Sequence, residues 1–256
     1  MALAAGLRPG RASRLVERNL LVYRRTPAII LTGIVEPFLY LGSIGVGVGA
    51  LVGGIDGVSY AQFVAPALLA SAAMNGAIYD STFNIYFKLR YARTYDAILS
   101  TPLGSRDVAV GEIVWALLRG GFYALLFLLA MTVSGLTRSW WAVLALPGSL
   151  LIGFAFAAVG MAATTYLRGF SDFDAVPLVI QPLFLFSATF FPLSTYDASV
   201  RWLVQLSPLY HGVALERALC LGRVGPGQLV NVTVLVLLGL VGLRIAARRL
   251  DGLLLR

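Results

Sequence analysis

Residues Tyr86–Asp107 read YFKLRYARTYDAILSTPLGSRD, the longest polar interruption between two strongly apolar blocks of the chain. The stretch holds the only lysine, Lys88, with Arg90, Arg93, Asp96, Arg106 and Asp107. Read as a helix, Tyr91, Tyr95, Ile98 and Leu99 fall at i, i+4, i+7 and i+8, one apolar stripe. Arg93 and Asp96 sit three apart and pair on the other face. Pro102 and Gly104 end the helix. Two readings of the segment stand side by side: a solvated loop helix, or a short amphipathic helix shaped to dock a soluble partner.

The flanking blocks decide the fold class. The chain has 256 residues, 59% hydrophobic and 12% charged, with a mean hydropathy of +0.83. A soluble domain carries roughly 25% charged residues. The composition is that of an all-α integral membrane protein, nearly all of it membrane domain. Its net charge is +8, but the basic residues stand at the ends of apolar segments. Membrane topology explains that placement better than a nucleic-acid face does, and no nucleic-acid partner is expected. The single cysteine, Cys220, excludes an intramolecular disulfide. One histidine and one cysteine cannot build a protein metal site by themselves. The arginine-rich start lacks the early apolar core and cleavage site of a secretory signal.

Working outward, residues 1–26 form a cytoplasmic or interfacial segment. Between Arg11 and Arg25, Leu15, Val16, Leu20 and Tyr23 lie to one side, as in a helix in the headgroup plane with arginines reaching anionic lipid. Residues 27–250 make one transmembrane domain, and 251–256 a cytoplasmic tail. Six segments approach the roughly 20 residues that a hydrocarbon core requires: about 28–52, 60–85, 108–134, 141–166, 175–192 and 227–247. With these spans, and with Arg244 at the inner end of the last one included, fifteen of the basic side chains fall on the side of the two termini and the Tyr86–Asp107 loop, and four on the other. The larger number marks the cytoplasm. The connection Leu193–Val224 contains two apolar helical pieces, about 198–206 and 210–221, split at Ser207-Pro208. Neither is long enough to span, so an extracytoplasmic re-entrant hairpin suits both, with a small surface cap as the alternative.

Few residues point to chemistry. A phosphate-binding P-loop needs Gly-Lys-Ser/Thr, and Lys88 stands between Phe87 and Leu89. The chain therefore has no ATPase site of its own. His211, on the outer hairpin, has no recognisable hydrolase setting and reads as structural or interfacial rather than catalytic. Glu36 precedes Pro37 inside the first span, and Arg119 lies at a comparable depth in the third. A charge at that depth is paired or faces a polar cavity, so Glu36–Arg119 is a candidate intramembrane ion pair, read as helix packing ahead of a proton relay. Gly45, Gly49 and Gly53, and less clearly Gly153, Ala157 and Met161, have small-xxx-small spacing for close helix packing. The Asn231-Val-Thr233 triplet falls within a span and is discounted as a glycosylation site.

Several motifs in order carry a family resemblance over nearly the full length. They are the basic N-terminal helix, Glu36-Pro37-Phe38-Leu39-Tyr40, Gly57-Val58-Ser59-Tyr60, Arg93-Thr94-Tyr95-Asp96-Ala97-Ile98-Leu99 and Gly111-Glu112-Ile113-Val114-Trp115. Phe186-Ser187-Ala188-Thr189-Phe190-Phe191-Pro192 and Ser207-Pro208-Leu209-Tyr210-His211 complete the set. The chain resembles the membrane subunit of an ABC-2-type ABC transporter. It is most similar to nodulation-type lipo-oligosaccharide export permeases, with daunorubicin-resistance permeases as cousins. The resemblance implies six helices per subunit, two permease subunits (identical or paralogous) and two cytoplasmic ATPase subunits that bind ATP and Mg. It makes the loop helix a coupling helix seated on the ATPase. The interface then comprises Tyr91, Arg93, Thr94, Tyr95, Asp96, Ile98 and Leu99, with Arg14, Glu17 and Arg18 of the N-terminal helix.

The leading expectation is an exporter moving an amphiphile: a lipid-linked saccharide, a glycolipid or a hydrophobic drug. Phe83, Phe184, Phe186 and Phe190 are candidate lining of its path, against lipid-facing or core packing at each. An ion-coupled secondary transporter would need inverted repeats and midplane ionisable sites. A lipid-processing enzyme would need an acid, histidine or metal cluster. A scramblase would work without any ATPase.

Overall fold

The computed structural model of the chain describes residues 11–23, 41–52, 54–92, 94–100 and 102–254, with Val35, Phe38 and Leu39. Helix α1 spans Arg11–Tyr23. A π-helix, Leu41–Val48, runs into a helical turn at Gly49–Val52. The chain reverses through β1 (Gly54–Ile55) and β2 (Val58–Ser59), antiparallel with Gly54 opposite Ser59. Asp56 (φ 50°) and Gly57 (φ 78°) make the reversal. Positive φ at both centres is the type I′ geometry that Asp-Gly favours in a two-residue hairpin.

Helix α2 (Tyr60–Tyr79) starts in a reciprocal cap: the Ser59 hydroxyl accepts from Gln62 N–H, and the Gln62 side chain accepts from Ser59 N–H. It continues through π segments at Asp80–Asn84 and Phe87–Tyr91, a run of 32 residues. Part of the polar interruption is therefore the end of a membrane helix: Lys88, expected in a polar loop, is 9% exposed. Helix α3 (Thr94–Leu99) follows, then α4 (Ser105–Val133). A 3-10 turn at Trp140–Leu144 leads into α5 (Ala145–Thr164). Another at Phe170–Asp174 leads into α6 (Ala175–Leu185). Helices α7 (Ala198–Leu206), α8 (Pro208–Leu221) and α9 (Gln228–Leu254) complete the chain.

Among the described residues, four helices are long and apolar enough to cross a membrane: Tyr60–Tyr91, Asp107–Val133, Trp140–Thr164 and Gln228–Leu253. Of the span expected over 28–52, residues 41–52 are described; Glu36 and Pro37 lie outside the described residues. The helix expected over 175–192 stops at Leu185 after 11 residues, about 16 Å at 1.5 Å per residue. Phe186 leaves helical geometry, and Ala188 takes a positive φ of 55°, which no α-helix of L-residues continues through.

Helix α5 is the centre of the bundle and packs on α9, α2, α4 and α8. Its buried residues are mostly small: Gly148, Ser149, Gly153, Ala155, Ala157, Ala158, Gly160 and Ala162. Small residues let several helix backbones approach one. Backbone meets backbone at Gly242 of α9, where an added Cβ would stand 2.8 Å from the Ala158 carbonyl carbon and Val159 nitrogen. A second core, with Val58, Tyr60, Phe63, Phe127, Met131 and Cys220, fills the hairpin end.

Candidate functional site

At the end of the bundle opposite the β-hairpin, α1 lies along the start of α4. It buries Leu15 and Asn19 and leaves Arg14, Glu17, Arg18, Leu20 and Leu21 exposed. Arg14 and Glu17 pair on the exposed face, Nη1 to Oε2 3.1 Å. A surface pair of this kind contributes little to stability.

The buried face carries the chemistry. Lys88 Nζ lies 2.9 and 2.7 Å from the two Glu112 oxygens and 3.3 Å from Asn19 Oδ1. Asn19 Nδ2 donates to Glu112 Oε2 at 3.2 Å. These three side chains join α1, the π-helical end of the α2 run and α4, with each partner satisfying another in a region that excludes water. Tyr95 of α3 is 1% exposed and packs into the main core. Its hydroxyl faces Glu112 without a regular hydrogen bond among the described residues. Burial, followed by the Glu112 carboxylate, pushes the phenol well above its usual range. Ser105 Oγ donates to Asp251, joining the start of α4 to the end of α9.

The other residues expected at a coupling surface divide. Tyr91 is exposed and stacks on the exposed Phe87, centroids 5.8 Å apart. Ile98 packs against the core, and Thr94 is half-buried. Asp96 and Leu99 lie on α3, but their side chains, and Arg93 altogether, are outside the described residues.

One helical turn or more deeper, Arg119 Nη2 lies 2.5 Å from Asp80 Oδ1. Asp80 was missed as a partner by the sequence reading, which named only Glu36 for Arg119. The signal was available: an aspartate near the far end of an apolar run of α2. The pairing of Glu112 with Lys88 was not expected from the sequence either. A third acid, Glu216, was passed over in the sequence and is wholly buried on α8.

The four phenylalanines do not form one surface. Phe83 stacks on Phe173 at 4.3 Å and on Tyr79 at 5.8 Å. Phe184 meets Phe190 edge to face at 5.2 Å. Phe173 and Phe184 are eleven residues apart across α6, about 16 Å, so these are two clusters. Phe186 is half exposed. His211 Nδ1 is 2.7 Å from Asn231 Oδ1 and ties α8 to α9, which is a packing contact.

Comparison with known proteins agrees with this architecture. The family model described as ABC-2 type transporter matches residues 12–220. The chain is 32% identical over 209 residues to "Nodulation protein J" of Rhizobium leguminosarum bv. viciae, covering 80% of each protein. It is 32% identical over 221 residues to the protein of the same name from Sinorhizobium fredii, covering 85% of this chain and 84% of the relative. It is 23% identical over 180 residues to "Inner membrane transport permease YadH" of Escherichia coli, covering 69% and 68%. With four helices long and apolar enough to cross a membrane among the described residues, and a family match over most of its length, the chain belongs to the ABC-2 type transporter family as a membrane permease.

Proposed function

We propose that this permease is the membrane subunit of an ATP-driven exporter, and that α3 is the element through which a separate cytoplasmic ATPase drives it. The carrying observation is the seat of Tyr95. The π-helical end of the α2 run presents Tyr91 outward, while Tyr95 of the six-residue α3 that follows is sunk against Glu112, which Lys88 and Asn19 hold in turn. Force applied to the outer face of α3 then reaches α1, α2 and α4 together. Arg14, Glu17 and Arg18 on the exposed side of α1 extend the docking surface. The working unit has two such permeases, identical or paralogous, and two ATPase subunits, which bind ATP and Mg.

In this reading the subunit crosses the membrane six times. The four long helices are joined by the segment ending at Val52 and by α6 with the turn after it. The α1 end faces the cytoplasm, where most arginines lie, and α7 with α8 forms a re-entrant hairpin on the far side. The similarity to proteins named for nodulation, and a bundle that is apolar over most of its length, favour an amphiphilic cargo: a lipid-linked saccharide, glycolipid or hydrophobic drug.

The test is affinity purification of the chain from its native membrane in mild detergent, with Tyr95→Ala and Asp96→Arg in parallel. A P-loop ATPase retained by the parent and lost or uncoupled in the variants supports the reading. Transport by the purified chain in vesicles without any ATPase overturns it and points to an ion-coupled carrier or a scramblase.

A further inference from the structure

Glu216 is fully buried on α8 and takes no part in the coupling end. The Ser149 hydroxyl on α5 donates to its Oε1 at 3.0 Å. Its Oε2 is buried with no hydrogen-bond partner among the described residues. Helix α5 makes room for the carboxyl by having no side chain at 148, where a Cβ would stand 2.8 Å from Oε1. No cation answers it among the described residues. Arg217, next in sequence, points to another face: it lies 3.8 Å from the Phe63 ring centroid and donates to the carbonyls of Phe63, Ala188 and Thr189.

The elements packed on α8 supply no counter-charge either. Helices α5 and α6 and the Trp140–Leu144 turn contain no titratable side chain. Helix α2 offers Tyr60 and Tyr79 at its two ends, and the first charge of α9 is Arg244, well down that helix. Arg201 of α7 is exposed and bonds to Tyr196 and Ser194 carbonyls. On α8 itself, the Cys220 thiol stands one turn from Glu216 and is equally buried. An ionised carboxylate here would be a lone charge out of water, a cost that a group avoids by holding its proton.

We propose that Glu216 is a proton-binding site: it carries a proton while α8 is packed on α5 and releases it when the two separate. The α5–α8 contact is then a proton-controlled latch at the hairpin. The packed state binds the extra proton, so acid favours it, and separation becomes easier as pH rises above the range in which a solvated carboxyl titrates.

Cys220, the only cysteine in the chain, reports the separation. The experiment is maleimide labelling of the full chain in lipid nanodiscs, with the logarithm of the rate followed against pH. Thiol ionisation alone gives a slope of about 1; loss of the Glu216 proton on opening adds a second, giving about 2. The expected result is the steeper slope in the parent and the shallower one in Glu216→Gln. A slope of about 1 in both, or no labelling in either, overturns the latch. Independently of any variant, a hydrophobic carbodiimide, which adds to a protonated carboxyl, is expected to modify Glu216 ahead of the ion-paired Asp80 and Glu112. Peptide mapping that finds Glu216 unmodified refutes the proton site.

Discussion

Lys88 and Glu112 form an ion pair, Nζ to Oε2 2.7 Å, with side chains 11% and 1% exposed. They sit 24 residues apart, on the two helices that flank α3. Removing one member leaves the other charged and buried, with the neutral Asn19 as its remaining hydrogen-bond partner in the cluster.

Lys88→Met is therefore expected to destabilise the protein by about 3–5 kcal/mol. The double variant Lys88→Met, Glu112→Leu should recover much of that loss, because neither charge then remains. Thermal unfolding in detergent, followed by tryptophan fluorescence, measures both. A double variant whose loss equals the sum of the singles contradicts the pairing.

Tyr95 links fold to pH. Its phenol is raised in the folded chain, chiefly by burial and next by Glu112. The fold thus holds a proton that the unfolded chain releases near pH 10. The stabilisation is complete below that pH and is lost as pH climbs through the folded value. Tyr95→Phe should extend the alkaline limit of stability while leaving neutral-pH stability within about 1 kcal/mol. Tyr95→Ala should cost about 3–5 kcal/mol at neutral pH. Unfolding midpoints measured from pH 8 upward separate the two.

Arg217 binds the strained turn after α6. Its guanidinium donates to Ala188 and Thr189 carbonyls, and Ala188 holds φ at 55°. Arg217→Lys loses the planar fork that serves both the turn and Phe63 and should lower stability despite keeping the charge. Ala188→Gly removes a steric penalty of order 1 kcal/mol and should be neutral or stabilising, which is unusual for glycine. Thermal shift on each variant checks the order Ala188→Gly above parent above Arg217→Lys.

Two glycines of α9 should respond oppositely. Gly242→Ala drives a methyl onto the backbone of α5 and should cost about 1–3 kcal/mol. Gly252→Ala meets nothing within 4 Å and should gain up to about 1 kcal/mol from helix propensity. The same denaturation assay reads both.

The long helices were legible because apolar residues dominate them: Ser105–Val133 and Gln228–Leu254 read plainly from composition despite the charges they carry. The two hairpin pieces were legible because Ser207-Pro208 divides them. The stop of α6 at Leu185 was not, since no charge, proline or glycine stands between Phe186 and Phe190, and the interruption is the turn at Ala188. The charged partners were obscured for another reason. Sequence depth ranks residues along one helix, whereas the Asp80–Arg119 and Lys88–Glu112 pairs depend on how two helices are set against each other. Lys88 looked solvated because arginines surround it in sequence, yet it is buried while the neighbouring Arg90 is exposed.

Those two pairs obey an arithmetic that the π segments make possible. On α4, Glu112 and Arg119 are seven residues apart, nearly two full turns, and share a face. Their partners on the α2 run, Asp80 and Lys88, are eight apart. In an unbroken α-helix the eighth residue would be rotated by about 80°, and one of the two pairs would be lost. The Asp80–Asn84 and Phe87–Tyr91 segments bond i to i+5 and take up the additional residue within the same length. The wide turns act as a vernier between two helices whose charges are spaced on different rulers.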